Sequence, residues 1–220
     1  MHERSIVVAH PQDATSLVLL FHGVGSSAAD LVPLGEAIAR GHPGAMVVSV
    51  DAPHPSTLGR GREWFSVVGV TEQNRPERIE TVMPLFLQTV EHWQESSGIA
   101  RAGTVLVGFS QGAIVSLEST QVEGAQAAAG RVIALAGRFA QPPRRAPDGL
   151  RYHLVHGEQD TVVPARFSVD AARALQALGG AVTLDLLPGL GHGIDARVAR
   201  LVLGYVGEPA SSDSSTPRPG

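Results

Sequence analysis

The chain contains no cysteine among its 220 residues. Disulfide bonds, thiolate metal sites and a cysteine nucleophile are therefore excluded. Charged residues make up only 17% of the chain, the net charge is −4, and no run of basic residues would bind a phosphate backbone or an anionic lipid surface. We therefore expect no nucleic-acid partner.

Long hydrophobic runs are also missing. The apolar stretch near the start, residues 6–9, is too short for the core of a secretion signal. No run approaches the roughly 20 apolar residues that a membrane-spanning helix needs. These absences predict a water-soluble, cytoplasmic protein without a membrane span.

Short apolar runs alternate with helical periodicity over most of the chain, whose length favours a single domain, residues 1–206. The strand runs cover residues 16–21, 46–50, 104–109, 131–136, 152–156 and 182–187, and the helices cover 28–40, 76–95, 111–120, 165–178 and 194–206. This alternation predicts an α/β fold, with a mostly parallel central sheet between two layers of helices. Residues 207–220 lack large apolar side chains and predict a disordered C-terminal tail.

Residues 52–76 show no clean period and predict a long loop, which in a compact domain is usually functional. We interpret the segment as a substrate-binding loop. Its centre holds Trp64 and Phe65, an apolar pair that would either form one wall of a substrate pocket or belong to the core.

Ser110 is the candidate nucleophile. It lies in Gly108–Gly112, which matches Gly-x-Ser-x-Gly, between the strand run 104–107 and the helical run 113–118. A tight strand–serine–helix turn strains the serine backbone, and glycine two residues to either side lets the chains pass closely enough. The alternative is an ordinary glycine-rich turn, but the strand before it and the helix after it favour a nucleophile.

A serine hydroxyl needs a base and an orienting carboxylate, which on this kind of turn follow in the order acid, then histidine. His192 lies in a glycine-rich loop just past the last strand, so it is the candidate base, although a surface or helix-capping histidine remains the alternative. Asp160 follows the fifth strand and is the candidate acid, with Glu158 as its rival. The nearby Asp195 is too close to His192 in sequence to reach its ring easily.

Two backbone N–H groups should stabilise the oxyanion that forms during acyl transfer. One belongs to the residue after the nucleophile, Gln111, and the other to an early loop. The loop after the first strand run contains Gly23 and Gly25, which allow its amides to turn, so we assign the Val24 N–H. A glycine-rich turn without a ligand is the alternative.

Metal catalysis is the competing use of the histidines. His153 and His156 are three residues apart on a strand and therefore face opposite sides. His22 and His192 are not accompanied by a carboxylate pattern. We expect neither a metal site nor a cofactor.

Several segments resemble the phospholipase/carboxylesterase family, the small α/β-hydrolases that include acyl-protein thioesterases and bacterial carboxylesterases, with most similarity to a bacterial esterase branch. The similar segments are Leu20–Gly25, Arg62–Ser66, Thr71–Arg75, Gly108–Ala113, His156–Asp160 and Gly191–His192. The resemblance spans about residues 15–205. The motif Gly-Phe-Ser-Gln-Gly is more specific than the general pattern Gly-x-Ser-x-Gly.

The resemblance implies an α/β-hydrolase fold with no large lid and a serine esterase acting on short-to-medium acyl esters. It also implies that Val24 and Gln111 form the oxyanion hole. Many family members carry aspartate after Trp-Phe, where this chain has Ser66, and this difference bears on substrate range. An acyl thioesterase or lysophospholipase of the same family and a non-catalytic binding protein are the alternatives. The expected partner is a small-molecule acyl ester, and a homodimer is left open.

Overall fold

A seven-stranded sheet forms the centre of the molecule in a computed structural model that describes residues 4–124 and 126–209. The strands are β1 (Ile6–Ala9), β2 (Ser16–Phe21), β3 (Ala45–Val50), β6 (Thr104–Phe109), β7 (Arg131–Leu135), β8 (Arg151–Gly157) and β9 (Ala181–Leu187), while β4 (His54–Pro55) and β5 (Arg62–Glu63) form a separate hairpin. Their order across the sheet is β1-β3-β2-β6-β7-β8-β9. All neighbouring pairs run parallel except β1 with β3, so the prediction of a mostly parallel sheet is confirmed.

Five α-helices cover the two faces of this sheet. They are α1 (Val32–Gly41), α2 (Arg75–Ser97), α3 (Gln111–Glu118), α4 (Arg166–Ala177) and α5 (Ala196–Val206). Helices α2, α3 and α4 pack on one face, while α1 and α5 pack on the other. The sequence predicts all five, although α4 and α5 each begin one or two residues later than expected. Helix α1 begins four residues later than expected, because Ala28–Leu31 forms a separate 3-10 helix.

The period-two alternation of β2 explains how one strand serves both layers. Leu17, Leu19 and Phe21 contribute to the core under α2–α4, and Val18 and Leu20 contribute to the core under α1 and α5. All five side chains are fully buried. The apolar run is therefore continuous because neither face of the strand meets water.

The edge strand β1 was not predicted from the sequence. It pairs with β3 only, and Ile6 and Val7 remain 37% and 45% exposed. Four residues with half-exposed side chains carry too short a pattern to distinguish an edge strand from a loop.

The predicted loop 52–76 has more internal structure than expected, because it contains the β4–β5 hairpin. Glu63 is 2% exposed, and its carboxylate accepts hydrogen bonds from the backbone N–H and the hydroxyl of Thr57. The Arg62 side chain lies 3.1 Å from the Asp51 carboxylate and donates to the carbonyl of Ala52. The segment is therefore held by buried polar contacts as well as by its aromatic pair.

The predicted tail begins with three residues that are instead held against the domain. Arg131 donates to the carbonyl oxygens of Glu208 and Pro209, and Arg151 pairs with the Glu208 carboxylate at 3.1 Å. The rest of the predicted tail, residues 210–220, lies outside the described residues.

His153 is buried at the end of the sheet where these arginines lie. Its ring stacks on Tyr205 with centroids 3.8 Å apart, and its Nδ1 lies 2.9 Å from the Thr183 hydroxyl. Burial lowers the pKa of His153 to about 4, so the folded protein keeps the ring neutral where the unfolded chain protonates it.

We therefore expect stability to fall as the pH drops from about 6.5 towards about 4, since the unfolded state then binds about one more proton at His153. The variant His153→Gln should flatten this part of the curve. Urea unfolding across this pH range measures the effect, and an equal slope in both proteins would contradict it.

Candidate active site

Ser110 occupies a strained turn between β6 and α3. Its φ is 52° and its ψ is −114°, a combination that residues other than glycine rarely adopt. Backbone hydrogen bonds hold the turn, because the Ser110 N–H donates to the Leu135 carbonyl and the Ile114 N–H donates to the Ser110 carbonyl. The turn has the geometry that the sequence pattern predicts.

Both flanking glycines of this turn are required by close backbone approach. A Cβ at Gly108 would overlap the backbone of Gly112, and a Cβ at Gly112 would overlap the carbonyl of Phe21. Helix α3 consequently begins directly against the end of β2. This contact brings the nucleophile turn next to the loop that follows β2.

The structure brings Ser110, His192 and Asp160 together in one hydrogen-bonded chain. His192 Nε2 lies 2.9 Å from Ser110 Oγ, and His192 Nδ1 lies 2.7 Å from Asp160 Oδ2. A carboxylate can only accept, so Nδ1 carries the proton and Nε2 accepts from the serine hydroxyl. This is the arrangement that a serine nucleophile, its base and an orienting acid require.

Asp160 is buried and well supplied with hydrogen-bond donors. Its Oδ1 accepts from the N–H groups of Val162 and Val163, both at 2.8 Å. Burial alone would raise the pKa of Asp160, but the hydrogen bonds from His192 and these two amides outweigh it and hold the pKa below its ordinary value. The carboxylate therefore stays ionised at neutral pH.

The rival acids lie elsewhere. Glu158 is exposed to solvent, and only its backbone N–H is used, as a donor to the Leu187 carbonyl. Asp195 caps the N-terminus of α5 by accepting from the N–H groups of Arg197 and Val198. Of the carboxylates considered from the sequence, Asp160 is the one that His192 contacts.

The loop that carries Val24 lies against the nucleophile. A Cβ at Gly23 would come 3.2 Å from the Ser110 Cβ, so this position favours glycine. His22 Nε2 accepts from the Ala52 N–H at 3.1 Å, and His22 Nδ1 donates to the Gly23 carbonyl at 2.7 Å. Because a trans peptide points its N–H opposite to its C=O, this hydrogen bond fixes the direction of the Val24 N–H.

The second expected oxyanion donor is the N–H of Gln111. Gln111 is the first residue of α3, so its N–H has no acceptor within the helix. The Gln111 side chain has a separate contact with the loop centre. Its Oε1 accepts from the Trp64 N–H and its Nε2 donates to the Phe65 carbonyl, both at 2.7 Å.

Both aromatic residues at the loop centre are buried in the core under α2–α4. Trp64 is 1% exposed, and its ring packs against Phe21 and Phe86 with centroids 6.0 and 5.1 Å away. Trp64 therefore contributes to the core, the second of the two uses left open by the sequence. Phe65 is 7% exposed, and its role in a substrate pocket stays a prediction.

An ion pair that sequence reasoning missed fixes the outer part of the loop. Arg138, just after β7, donates two hydrogen bonds to the Glu72 carboxylate, at 2.9 and 2.7 Å, and stacks over the Phe167 ring at 3.7 Å. The guanidinium groups of Arg138 and Arg75 lower the pKa of Glu72 to about 2. Residues 72 and 138 are far apart in sequence, and no local pattern indicates that they pair.

Two further properties were searched across residues 4–124 and 126–209. In this part of the chain no helix is long and apolar enough to cross a bilayer. Nor do three or more histidine, aspartate or glutamate side chains gather there in a way that could hold a metal ion.

Comparison with known proteins agrees with the fold. A family model described as Phospholipase/Carboxylesterase matches residues 2–206. The chain is 43% identical over 205 residues to Esterase YpfH of Escherichia coli (strain K12), covering 93% of this chain and 88% of that protein. It is also 25% identical over 187 residues to Acyl-protein thioesterase 1 of Kluyveromyces lactis, covering 76% of this chain and 79% of that protein.

Among solved structures, esterase PE8 superimposes with a TM-score of 0.82 and 29% identity, covering 92% of this chain and 95% of that chain. This likeness confirms the predicted α/β-hydrolase fold. The family resemblance proposed from the sequence is confirmed as well. The chain belongs to the phospholipase/carboxylesterase family and is a carboxylic-ester hydrolase.

Proposed function

We propose that this protein is a serine esterase that hydrolyses short-to-medium acyl esters through an acyl-enzyme on Ser110. The observation that carries the proposal is the hydrogen-bonded chain from Ser110 through His192 to the buried, ionised Asp160. Small-molecule esters are the expected substrates.

In this mechanism the Ser110 proton moves to His192 Nε2 while Oγ forms a bond to the acyl carbon. Asp160 stabilises the resulting imidazolium through Nδ1. The bond from the acyl carbon to the leaving oxygen then breaks, and His192 returns the proton to that oxygen. A water molecule then gives a proton to His192 and attacks the acyl carbon. The bond from that carbon to Ser110 Oγ breaks, His192 returns the proton to Oγ, and the carboxylic acid is released.

Charge on the carbonyl oxygen in these steps would be stabilised by the N–H groups of Val24 and Gln111. Gly23 lies against Ser110, and His22 fixes the peptide between Gly23 and Val24, which supports this assignment. An N–H group held in place before the reaction needs no reorganisation when the charge develops.

The variant Ser110→Ala tests the nucleophile. We expect it to lose labelling by a fluorophosphonate probe and to hydrolyse a p-nitrophenyl ester at least about 1,000-fold more slowly. The control is Ser119→Ala, which removes another buried hydroxyl just beyond α3 and should retain labelling. Stoichiometric labelling of Ser110→Ala would contradict the proposal. Absence of turnover in the unaltered protein would favour a binding protein.

The Gln111 side chain supports the proposed pocket independently of its backbone N–H. In Gln111→Met the two hydrogen bonds to the Trp64 and Phe65 backbone are lost. We expect kcat/KM to fall by about 30-fold, since each bond is worth about 1 kcal/mol.

A matched control exists in Gln121→Met, because Gln121 is a buried amide that ties a different loop to the end of the same helical segment. This variant should lose stability without the same loss of kcat/KM. Equal losses of kcat/KM in both variants would show that the contact with residues 64–65 has no special role.

A thioesterase is the second candidate function, favoured by the 25% identity to Acyl-protein thioesterase 1. The proposed chemistry is the same for both, since only the leaving atom changes from oxygen to sulfur. We expect paired oxygen esters and thioesters of equal acyl length to be hydrolysed with kcat/KM values favouring the oxygen ester. A preference for the thioester across all chain lengths would reverse the assignment.

A further inference from the structure

Asp160 has a second imidazole neighbour besides His192. His156 Nε2 lies 3.2 Å from Asp160 Oδ2, the same oxygen that accepts from His192 Nδ1 at 2.7 Å. The His156 and Asp160 side chains are both fully buried. One carboxylate oxygen therefore lies between two histidine rings, only one of which has a role in the proposed mechanism.

The partners of His156 define where its proton lies. Its Nε2 is 2.7 Å from the Val163 carbonyl oxygen, which can only accept, so Nε2 carries the hydrogen. Its Nδ1 is 2.7 Å from Ser168 Oγ in α4 and accepts from that hydroxyl. Burial lowers the pKa of His156, so the ring stays neutral.

We propose that His156 is a positioning residue for the catalytic carboxylate, with its Nε2–H shared between the Val163 carbonyl and Asp160 Oδ2. This inference rests on the proposed function of Ser110, His192 and Asp160. His156 touches neither substrate nor the reacting atoms, and it acts through Asp160.

A neutral donor suits this position better than a cation. Asp160 must remain fully charged to stabilise the imidazolium of His192 during acyl transfer. A buried lysine or arginine would compete with that imidazolium for the same charge. The neutral Nε2–H instead restrains the carboxylate and donates to a buried lone pair at Oδ2 without adding charge.

Among residues 4–124 and 126–209, two titratable groups act on the His156 ring. The titratable groups facing it are Asp160, from the loop after its own strand, and His192, from the loop after β9. Helix α4 contributes the Ser168 hydroxyl, which also lies 3.5 Å from the Gly137 carbonyl after β7. The state of His156 is therefore coupled mainly to the catalytic pair.

The experiment compares kcat/KM across pH for the unaltered protein, His156→Leu and His156→Gln. In the unaltered protein, activity should fall towards acid pH, because His192 must be neutral to accept the serine proton. We expect His156→Leu to lower kcat/KM about tenfold and to move this acid limb upward by about half a pH unit or more.

The direction follows from the lost hydrogen bond. Without the Nε2–H, Asp160 Oδ2 is a stronger acceptor for the His192 imidazolium, so protonated His192 persists to higher pH. Glutamine carries an N–H donor at the same distance from the backbone as histidine Nε2. His156→Gln should therefore restore most of the activity and return the acid limb towards its original position.

His153→Leu is the matched control, since it removes a buried histidine from the same strand that contacts Thr183 and Tyr205 instead of Asp160. It should lower stability and leave the acid limb in place. An unchanged limb in His156→Leu, or equal shifts in His156→Leu and His153→Leu, would overturn the proposal. An equal loss of kcat/KM in His156→Gln and His156→Leu would overturn it as well.

Nitrogen-15 NMR of the unaltered protein gives a measurement that does not depend on the variants folding. The His156 ring should remain neutral, with the proton on Nε2, across the pH range where activity falls. A Nδ1–H tautomer or an imidazolium in that range would overturn the inference. Ser110→Ala distinguishes failure of the proposed function from failure of this inference. Retained activity in Ser110→Ala would refute the nucleophile. Loss of activity in Ser110→Ala, together with His156 variants that behave like the unaltered protein, would refute only the role of His156.

Discussion

The close contact between Gly112 and the Phe21 carbonyl is the constraint on which the rest of the site depends. It seats α3 against the end of β2 and forces Ser110 into its positive φ. A strained residue of this kind costs about 1–3 kcal/mol, which the surrounding packing must offset. Because Gly23 follows Phe21 by two residues, the same contact brings the expected oxyanion loop beside the nucleophile.

The local parts of this arrangement could be predicted from the sequence. Each proposed catalytic residue follows a strand that the sequence predicts, so chain order alone indicates that Ser110, Asp160 and His192 meet at one edge of the sheet. The effect of His153 on stability could be predicted only from the structure. The sequence around His153 does not indicate that Tyr205 stacks on its ring.

Contacts between distant residues could not be predicted in the same way. The pairing of Arg138 with Glu72 joins a loop after β7 to the segment before α2, and neither residue belongs to a periodic pattern. Arg62 and Glu63 lie in a segment that resembles the family in sequence. Their contacts with Asp51 and Thr57 are seen only in the folded loop. Charged side chains are common in any sequence, and only the folded structure shows which of them pair.

These polar contacts also explain how a long loop can serve a hydrolase without a large lid. Glu63 is nearly fully buried, so its hydrogen bonds to Thr57 persist in a dry environment where unmade bonds would be costly. The Glu72 side chain is 60% exposed, so its pairing with Arg138 contributes less to stability than to the direction of the segment. These contacts therefore hold the loop in one conformation.

The packing of Trp64 and Phe65 bears on how the proposed pocket could be altered. Trp64 packs with Phe21 and Phe86, so its replacement would disturb the core as well as the loop. The backbone of both aromatic residues is tied to the Gln111 side chain, which belongs to the nucleophile turn. These contacts hold the loop backbone in register with Ser110. The Ser66 hydroxyl contacts the Thr57 hydroxyl, within the same loop.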